Sequence, residues 1–279
     1  MQYTQQWKKS ALALLLTPLL ITSAFADENK GEEVQEKEQV ESKLSGSVSL
    51  AYDTNIYNKD DYRAVRNISW GGSLSYRFNQ DYRAYLSSGG YRALENETGT
   101  FANDTVIGLS RSGLFTFGET GSIGMSGQFT IPTSETSKND ELNTAFRLAI
   151  PVSFKALGID FSIAPRLRKN FHEYKTAGGK SLTEWTYSLS TGASYKFEKL
   201  VIGISALGGN SQSYQGTRRD SFNYGGSIYG SYQATDSIGI SLTGATSGFY
   251  ADAEQGTLGN IDLFDADRAS YIAEITYSF

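Results

Sequence analysis

The chain has 279 residues, 39% of them hydrophobic, and carries a formal net charge of −5 at pH 7. A mean hydropathy of −0.36 excludes a bundle of membrane-spanning helices, and the absence of cysteine excludes a lipoprotein anchor and a disulfide framework. What is abundant is Tyr (18), Phe (15) and Gly (29), with only four Pro, a composition of strand formers and turn formers that favours an all-β protein.

The first segment is a leader by its pattern. Lys8 and Lys9 precede an apolar run from Ala11 to Ile21, and Ala24-Phe25-Ala26 then leads into Asp27. Charged region, apolar region and A-x-A site in that order predict a secretory signal peptide over 1–26. The run falls short of the roughly 20 residues a spanning helix needs, and Pro18 interrupts it. Cleavage would remove two positive charges and leave −7. Residues 27–43 hold seven acids against three lysines and no aromatic residue. Such a segment cannot bury enough apolar surface to order itself, and it predicts a flexible, solvated periplasmic tail.

From Leu44 onward the pattern has a period of two, the signature of strands with two unlike faces. Twelve strands are expected. The first is Leu44–Asp53, with Leu44, Val48, Leu50 and Tyr52 opposite Ser45, Ser47 and Ser49. Ile68–Phe78 alternates Ile68, Trp70, Leu74, Tyr76 and Phe78 with small residues and Arg77. Tyr82–Tyr91, carrying Arg83, is less regular. Thr105–Phe117 is ambiguous, because Leu109 and Phe115 share a face with Arg111. Gly121–Ile131 and Thr144–Phe154 follow. In the latter, Phe146, Leu148, Ile150, Val152 and Phe154 form one face and Arg147 lies on the other. Ile159–Arg168 sets Asp160, Arg166 and Arg168 against apolar partners, and Trp185–Phe197 does the same with Lys196. Leu200–Gly208, Phe222–Gln233 and Ile238–Phe249 complete the run to the last strand.

That last strand spans Arg268–Phe279. Phe279, Tyr277, Ile275, Ala273, Tyr271 and Ala269 alternate with Ser278, Thr276, Glu274, Ser270 and Arg268, with Ile272 as the exception. Its length matches the roughly 9–11 residues that cross a bilayer at a tilt, and aromatics sit near both ends of the apolar face. It resembles the C-terminal strand of bacterial outer-membrane β-barrels, which ends in an aromatic residue. The resemblance implies that Tyr277 and Phe279 are the signal read by the barrel-assembly machinery.

The connections alternate between long (near 54–67, 92–104, 132–143, 169–184, 209–221 and 250–267) and short (near 79–81, 118–120, 155–158, 198–199 and 234–237). Six long loops and five short turns are what an even-numbered, up-and-down antiparallel barrel predicts, with its short turns in the periplasm. The expected architecture is therefore an all-β transmembrane barrel over residues 44–279, in the outer membrane, porin-like, with lipid and lipopolysaccharide around it. A monomer is expected, without cofactor, metal or nucleic-acid partner.

If the apolar face meets lipid, the other face lines the lumen. That face is mostly Ser, Gly and Thr, with Arg77, Arg83, Arg147, Arg166, Arg168, Lys196 and Arg268 as cations and chiefly Asp160 and Glu274 as acids. A small-residue lining leaves a path, and fixed positive charge favours anions. The expected function is passive passage of small hydrophilic solutes with a preference for anions. In plan it is similar to the monomeric twelve-stranded channels for acidic oligosaccharides and for nucleosides. The opposing possibility is that Arg147, Arg166 and Arg168 pair with Asp160, Glu274 and neighbours inside a packed, closed lumen. The stretch Tyr52-Asp53-Thr54-Asn55-Ile56-Tyr57 resembles the first strand of a loose group of barrels, some of which accompany export systems, and this keeps a structural or export-accessory role as the alternative.

A barrel hydrolase of phospholipase, deacylase or omptin type needs an activated nucleophile or water beside a His. The chain has one His, His172, in Asn170-Phe171-His172-Glu173, and Tyr174 stands two positions on where a Ser would be wanted. No catalysis is expected from it. Asn67-Ile68-Ser69 and Asn96-Glu97-Thr98 match a glycosylation pattern that has no meaning in a bacterial outer membrane. The glycines from Gly118 to Gly127 read as turn chemistry. Arg218, Arg219 and Asp220 mark one outer loop as a contact surface or a solvated tip.

Overall fold

The computed structural model describes residues 43–95, 98–218, 221–251 and 269–279. The expected leader, all of the acidic tail but Lys43, and Arg219, Asp220 and Arg268 lie outside the described residues. In chain order the elements are β1 (Leu44–Asn55), β2 (Arg66–Arg77), β3 (Tyr82–Ala93), β4 (Gly99–Ala102), β5 (Thr105–Phe117), β6 (Gly121–Ile131), α1 (Glu135–Asn139), β7 (Leu142–Ala149) and β8 (Val152–Ala156). They continue as β9 (Ile159–His172), β10 (Thr176–Ala177), β11 (Lys180–Ser181), β12 (Thr183–Phe197), β13 (Leu200–Ser213), β14 (Ser221–Gln233), β15 (Ile238–Ala251) and β16 (Ser270–Ser278).

Each long strand pairs antiparallel with the next, and β16 returns to pair with β1 from Ser47–Ser278 to Asn55–Ser270. The sheet has no free edge. Taking β7 and β8 as one interrupted strand, the closed barrel has twelve strands, as the alternation predicts. Short turns cap one rim and longer connections the other. The latter include β4, which continues the pairing of β3, the two-residue hairpin β10–β11, and α1.

The predicted sixth strand is broken. Pro151 has no N–H to give a ladder, so β7 stops at Ala149 and β8 starts at Val152. The gap is bridged by Ile150 N–H to the Pro165 carbonyl (3.1 Å) and Gly124 N–H to the Pro151 carbonyl (2.8 Å), so the alternation carries through. Several strands also run further than the apolar alternation does. β9 reaches His172 and β13 reaches Ser213, which shortens the loops expected at 169–184 and 209–221.

The burial pattern inverts that of a water-soluble domain. Among the described residues the buried apolar set is small, with Ala51, Ala145 and Ala149 typical, and no large side chain is fully buried. The large apolar residues face outward: Leu50 is 53% exposed, Ile204 53% and Leu242 64%. A continuous apolar belt of this kind is stable only against another apolar phase. Aromatic pairs mark its two edges. Near the short-turn rim lie Tyr76–Phe78 (5.2 Å between ring centres), Tyr195–Phe197 (4.4 Å) and Phe154–Phe161 (5.2 Å), and toward the other rim lies Phe129–Phe146 (5.0 Å).

The closing seam ends on Phe279. Gly46 and Phe279 exchange both backbone hydrogen bonds (2.9 and 3.0 Å), and the Phe279 ring lies over the glycine. A Cβ at Gly46 would stand 2.6 Å from the ring. Replacing Gly46 with Val should therefore destabilise the barrel by about 1–3 kcal/mol, the usual cost of overpacking. Gly72→Ala, where the nearest atom to the added Cβ is 3.9 Å away, should be neutral. The temperature at which the folded species shifts on heated gels checks this, and equal midpoints for both variants would remove the seam contact from the account.

Candidate functional site: a basic wall in the lumen

Register places the charged residues on the inner face. Gln128 on β6 is the partner of Arg147 on β7, Arg147 of Arg168 on β9, and Arg168 of Thr186 on β12. One step along the same face, Ala149 partners Arg166, and Arg166 partners Ser188. Three arginines thus share one patch of inner wall, bordered by hydroxyl side chains. They sit near the middle of their strands, with Arg168 closer to the long-loop rim.

Neutral groups hold the patch. The Arg147 guanidinium donates to Gln128 Oε1, which also accepts from the Tyr85 hydroxyl at 3.0 Å. Tyr85 can reach across because Gly108 lies beneath its ring, where a Cβ would stand 2.4 Å from it. Tyr229 lies over Gly203 in the same way. Both rings are pressed against the wall and kept out of the bore. Arg168 Nε donates to Asn170 Oδ1 at 2.8 Å, and Asn170 Nδ2 donates to the Thr183 carbonyl at 3.0 Å.

Among the described residues no carboxylate lies within ion-pair distance of Arg147, Arg166 or Arg168. The acids expected to neutralise them are engaged elsewhere. Asp160 pairs with Lys155 at 3.5 Å beside the short-turn rim, and Glu274 accepts from the Thr276 hydroxyl at 3.2 Å. Each arginine remains partly accessible from the bore.

Arg77 and Arg83 are register partners on the inner face beside the short-turn rim, and Lys196 lies at the matching end of β12. Glu274 is at the centre of β16, inward-facing between Ala51 and Ser241.

Sequence reading missed two charged groups. Lys155 follows from carrying the alternation one residue past Phe154, into the stretch expected to be a short turn. Asp53 ends the inner set Ser45, Ser47, Ser49, Ala51, and its place at the end of a predicted strand hid it. Asp53 accepts from Asn67 Nδ2 at 3.3 Å, and its other carboxylate oxygen is buried without a partner.

His172 ends β9 at the long-loop rim. Its backbone N–H donates to the Tyr214 hydroxyl (3.1 Å), its Nδ1 lies 3.3 Å from the same oxygen, and that hydroxyl donates to the Asn170 carbonyl (2.6 Å). Among the described residues no carboxylate or serine hydrogen-bonds the imidazole.

The stretch at 52–57 organises the first long loop. The Asn55 side chain holds the far end of that loop, donating to the Arg63 carbonyl (2.7 Å) and accepting from Val65 N–H (3.1 Å). The Arg63 guanidinium lies 3.9 Å from the Tyr57 ring centre and forms a two-point contact with Asp61 (2.7 and 3.0 Å).

The fold is that of porin-like outer-membrane β-barrels. The chain is similar to the NanC porin, with a TM-score of 0.53 at 12% identity, covering 83% of this chain and 98% of that one. It is similar to an outer membrane channel from Pseudomonas putida F1, with a TM-score of 0.54 at 14% identity, covering 88% and 100%. At these identities the likeness is one of fold. No family model matches the sequence, and no curated protein does.

The Arg63 contact makes a pH prediction. Hydrogen bonds from the guanidinium and the Arg63 N–H hold the Asp61 carboxyl down at about 2. A depressed carboxylate contributes stability above its unfolded value, near 4, and loses it as pH falls through the folded value. Hydrogen-exchange protection in loop 56–65 should fall progressively as pH drops from about 4 to about 2, with the Asn55 contacts retained. In Arg63→Gln the Asp61 titration, read by carboxyl NMR, should return toward 4. An unchanged titration would show that the contact does not form.

Proposed function

We propose that the protein is an outer-membrane channel for passive passage of small hydrophilic solutes, with a preference for anions, and that it performs no catalysis. In this reading the apolar belt meets lipid, the short turns face the periplasm and the long loops face outward. The observation that carries it is the group of three arginines, two of them (Arg147 and Arg168) held by neutral side chains and all partly open to the bore, on a wall otherwise rich in Ser, Thr and Gly. Uncompensated positive charge on a narrow, water-filled path raises the local concentration of anions and lowers that of cations. Ion-pair partners for the arginines would have argued for a closed lumen, and the acids expected to supply them, Asp160 and Glu274, contact Lys155 and Thr276 instead, while Asp104, whose charge reaches Arg168, is hydrogen-bonded to Ser134 and Ser137. The His172 contacts offer a tyrosine and a backbone carbonyl in place of a nucleophile and a carboxylate orienter, which argues against hydrolysis.

The test is single-channel recording in planar bilayers under a salt gradient. The expected result is stable steps whose reversal potential is anion-selective. Arg166→Gln and Arg147→Gln should each lower the anion-to-cation permeability ratio by about a factor of five, the effect of roughly 1 kcal/mol between unit charges at 4 Å in water. Selectivity unchanged by both substitutions would sink the role given to the arginines. Folded, inserted protein without conductance would sink the channel and leave a structural or export-accessory barrel.

A further inference from the structure

One stretch of the wall is held by few bonds. The pairing across β5, β6, the interrupted β7–β8 and β9 is irregular in a single row. On β5, residues 112–114 stand opposite one residue of β6, Gly124, because Arg111 pairs with Met125 and Phe115 with Ile123. The register that pairs Ser126 with Ala149 and Ile123 with Val152 sets Gly124 beside Pro151. The register that pairs Ala149 with Arg166 and Val152 with Ile163 sets Ile150 beside Pro165. Gly124 gives its N–H to the Pro151 carbonyl (2.8 Å) and Ile150 gives its own to the Pro165 carbonyl (3.1 Å), but a proline has no N–H to return. Two adjacent ladders therefore each lose a bond in the same row. Between this row and the short-turn rim, β6 and β8 are joined by two residue pairs, Ser122–Ser153 and Ile123–Val152. At the rim itself, Thr120 Oγ1 accepts from the Lys155 N–H (3.0 Å) and donates to the Lys155 carbonyl (3.1 Å). β8 holds β9 more firmly, over five pairs from Val152–Ile163 to Ala156–Ile159. The boundary with least to break is the one between β6 and β8.

Unlike chemistry meets across this thin boundary. On the lipid side stand apolar residues, with Met125 42% and Ile150 41% exposed. On the lumen side, Arg166 is the partner of Ala149, one pair beyond Ile150–Pro165 toward the long loops, and Arg147 lies further along β7. We propose that β6 and β8 part in their short-turn half to open a side exit from the lumen into the lipid leaflet at that rim, and that this exit passes anionic amphiphiles, a carboxylate or sulfonate head on an unbranched apolar tail. The proposal rests on the channel reading for entry into the lumen and adds a second way out of it. The head meets guanidinium donors suited to two-point contact, while the tail leaves water for the apolar belt. A small hydrophilic anion has no tail to gain from lipid and continues along the bore. Strands in lipid stay shut because each freed backbone group has no water to turn to. Here two prolines and a bulge leave fewer bonds to free.

The test uses the full protein in phosphatidylcholine vesicles, with a fluorescently labelled decanesulfonate added from outside. Serum albumin, too large for the bore, extracts the sulfonate from the outer leaflet, so the fraction it cannot extract reports transfer to the inner one. Ile123→Cys with Val152→Cys puts one cysteine on each side of the boundary, at neighbouring positions suited to a disulfide, in a chain that has no other. Oxidation should slow transfer by about fivefold and reduction should restore it, with ion conductance in planar bilayers the same in both states. Thr120→Val, which removes both rim hydrogen bonds, should speed transfer by about fivefold, the scale of one net hydrogen bond. Heated-gel migration confirms that each variant is folded. Transfer indifferent to oxidation, with conductance present, would overturn the side exit while leaving a channel in place. No conductance in either state from folded, inserted protein would instead overturn the channel reading and, with it, the entry on which the exit depends.

Discussion

The structure depends on one constraint, that a backbone in lipid must find every hydrogen-bond partner inside the protein. An open sheet cannot meet this, because its two edges would present unpaired N–H and C=O groups. The pairing of β16 with β1 meets it, and everything else follows from that seam. Closure makes the strand count even, puts both ends of the chain's barrel at one rim, and turns a two-faced sheet into an outside and an inside. The outward apolar residues, unstable in water, become the part of the surface that holds the protein in a bilayer. At roughly 25 cal/mol per Å² of apolar area removed from water, that belt is a much larger contribution than any single pairing in the lumen.

Closure also places the inner charges, because it makes one face of the sheet a lumen. The local chemistry then decides their state. Gln128, with Tyr85 behind it, and Asn170 orient Arg147 and Arg168 through neutral groups rather than carboxylates. Where a carboxylate does meet a cation on the inner wall, as Asp160 meets Lys155, it does so at the short-turn rim, away from the middle of the path. The tyrosines laid over Gly108 and Gly203 serve the same end by keeping bulk against the wall.

Much of this was legible in the residues. Alternation such as Leu44–Tyr52 or Tyr271–Phe279 identifies a strand and its faces because lipid on one side and water on the other demand opposite chemistry at every second position. The parity of Arg77, Arg83, Arg147, Arg166 and Glu274 followed from it directly. Strand ends were less legible, since beyond the bilayer both faces meet water and the contrast vanishes. Asn170, Ser211 and Ser213 carry no periodic signal, yet they extend β9 and β13. Pro151 broke a ladder whose side-chain pattern runs on undisturbed, and Lys155 was hidden because β8 reaches Ala156, into the stretch expected to be a short turn. The thin boundary between β6 and β8 was not legible at all. It requires the register of neighbouring strands, and no local pattern around Gly124 announces that Pro151 lies beside it.

The central claim is that the polar face lines a water-filled path and the apolar face meets lipid. Because the chain has no cysteine, single-cysteine substitution along β2 reads this without background. Positions Asn67, Ser69, Ser73 and Ser75 should react, in intact membranes, with a small thiol reagent that does not cross lipid. Ile68, Trp70 and Leu74 should not. Reaction with a period of two, in step with the inner face, is what the account predicts. Equal reactivity at both sets, or none at the serine positions in folded protein, would contradict it.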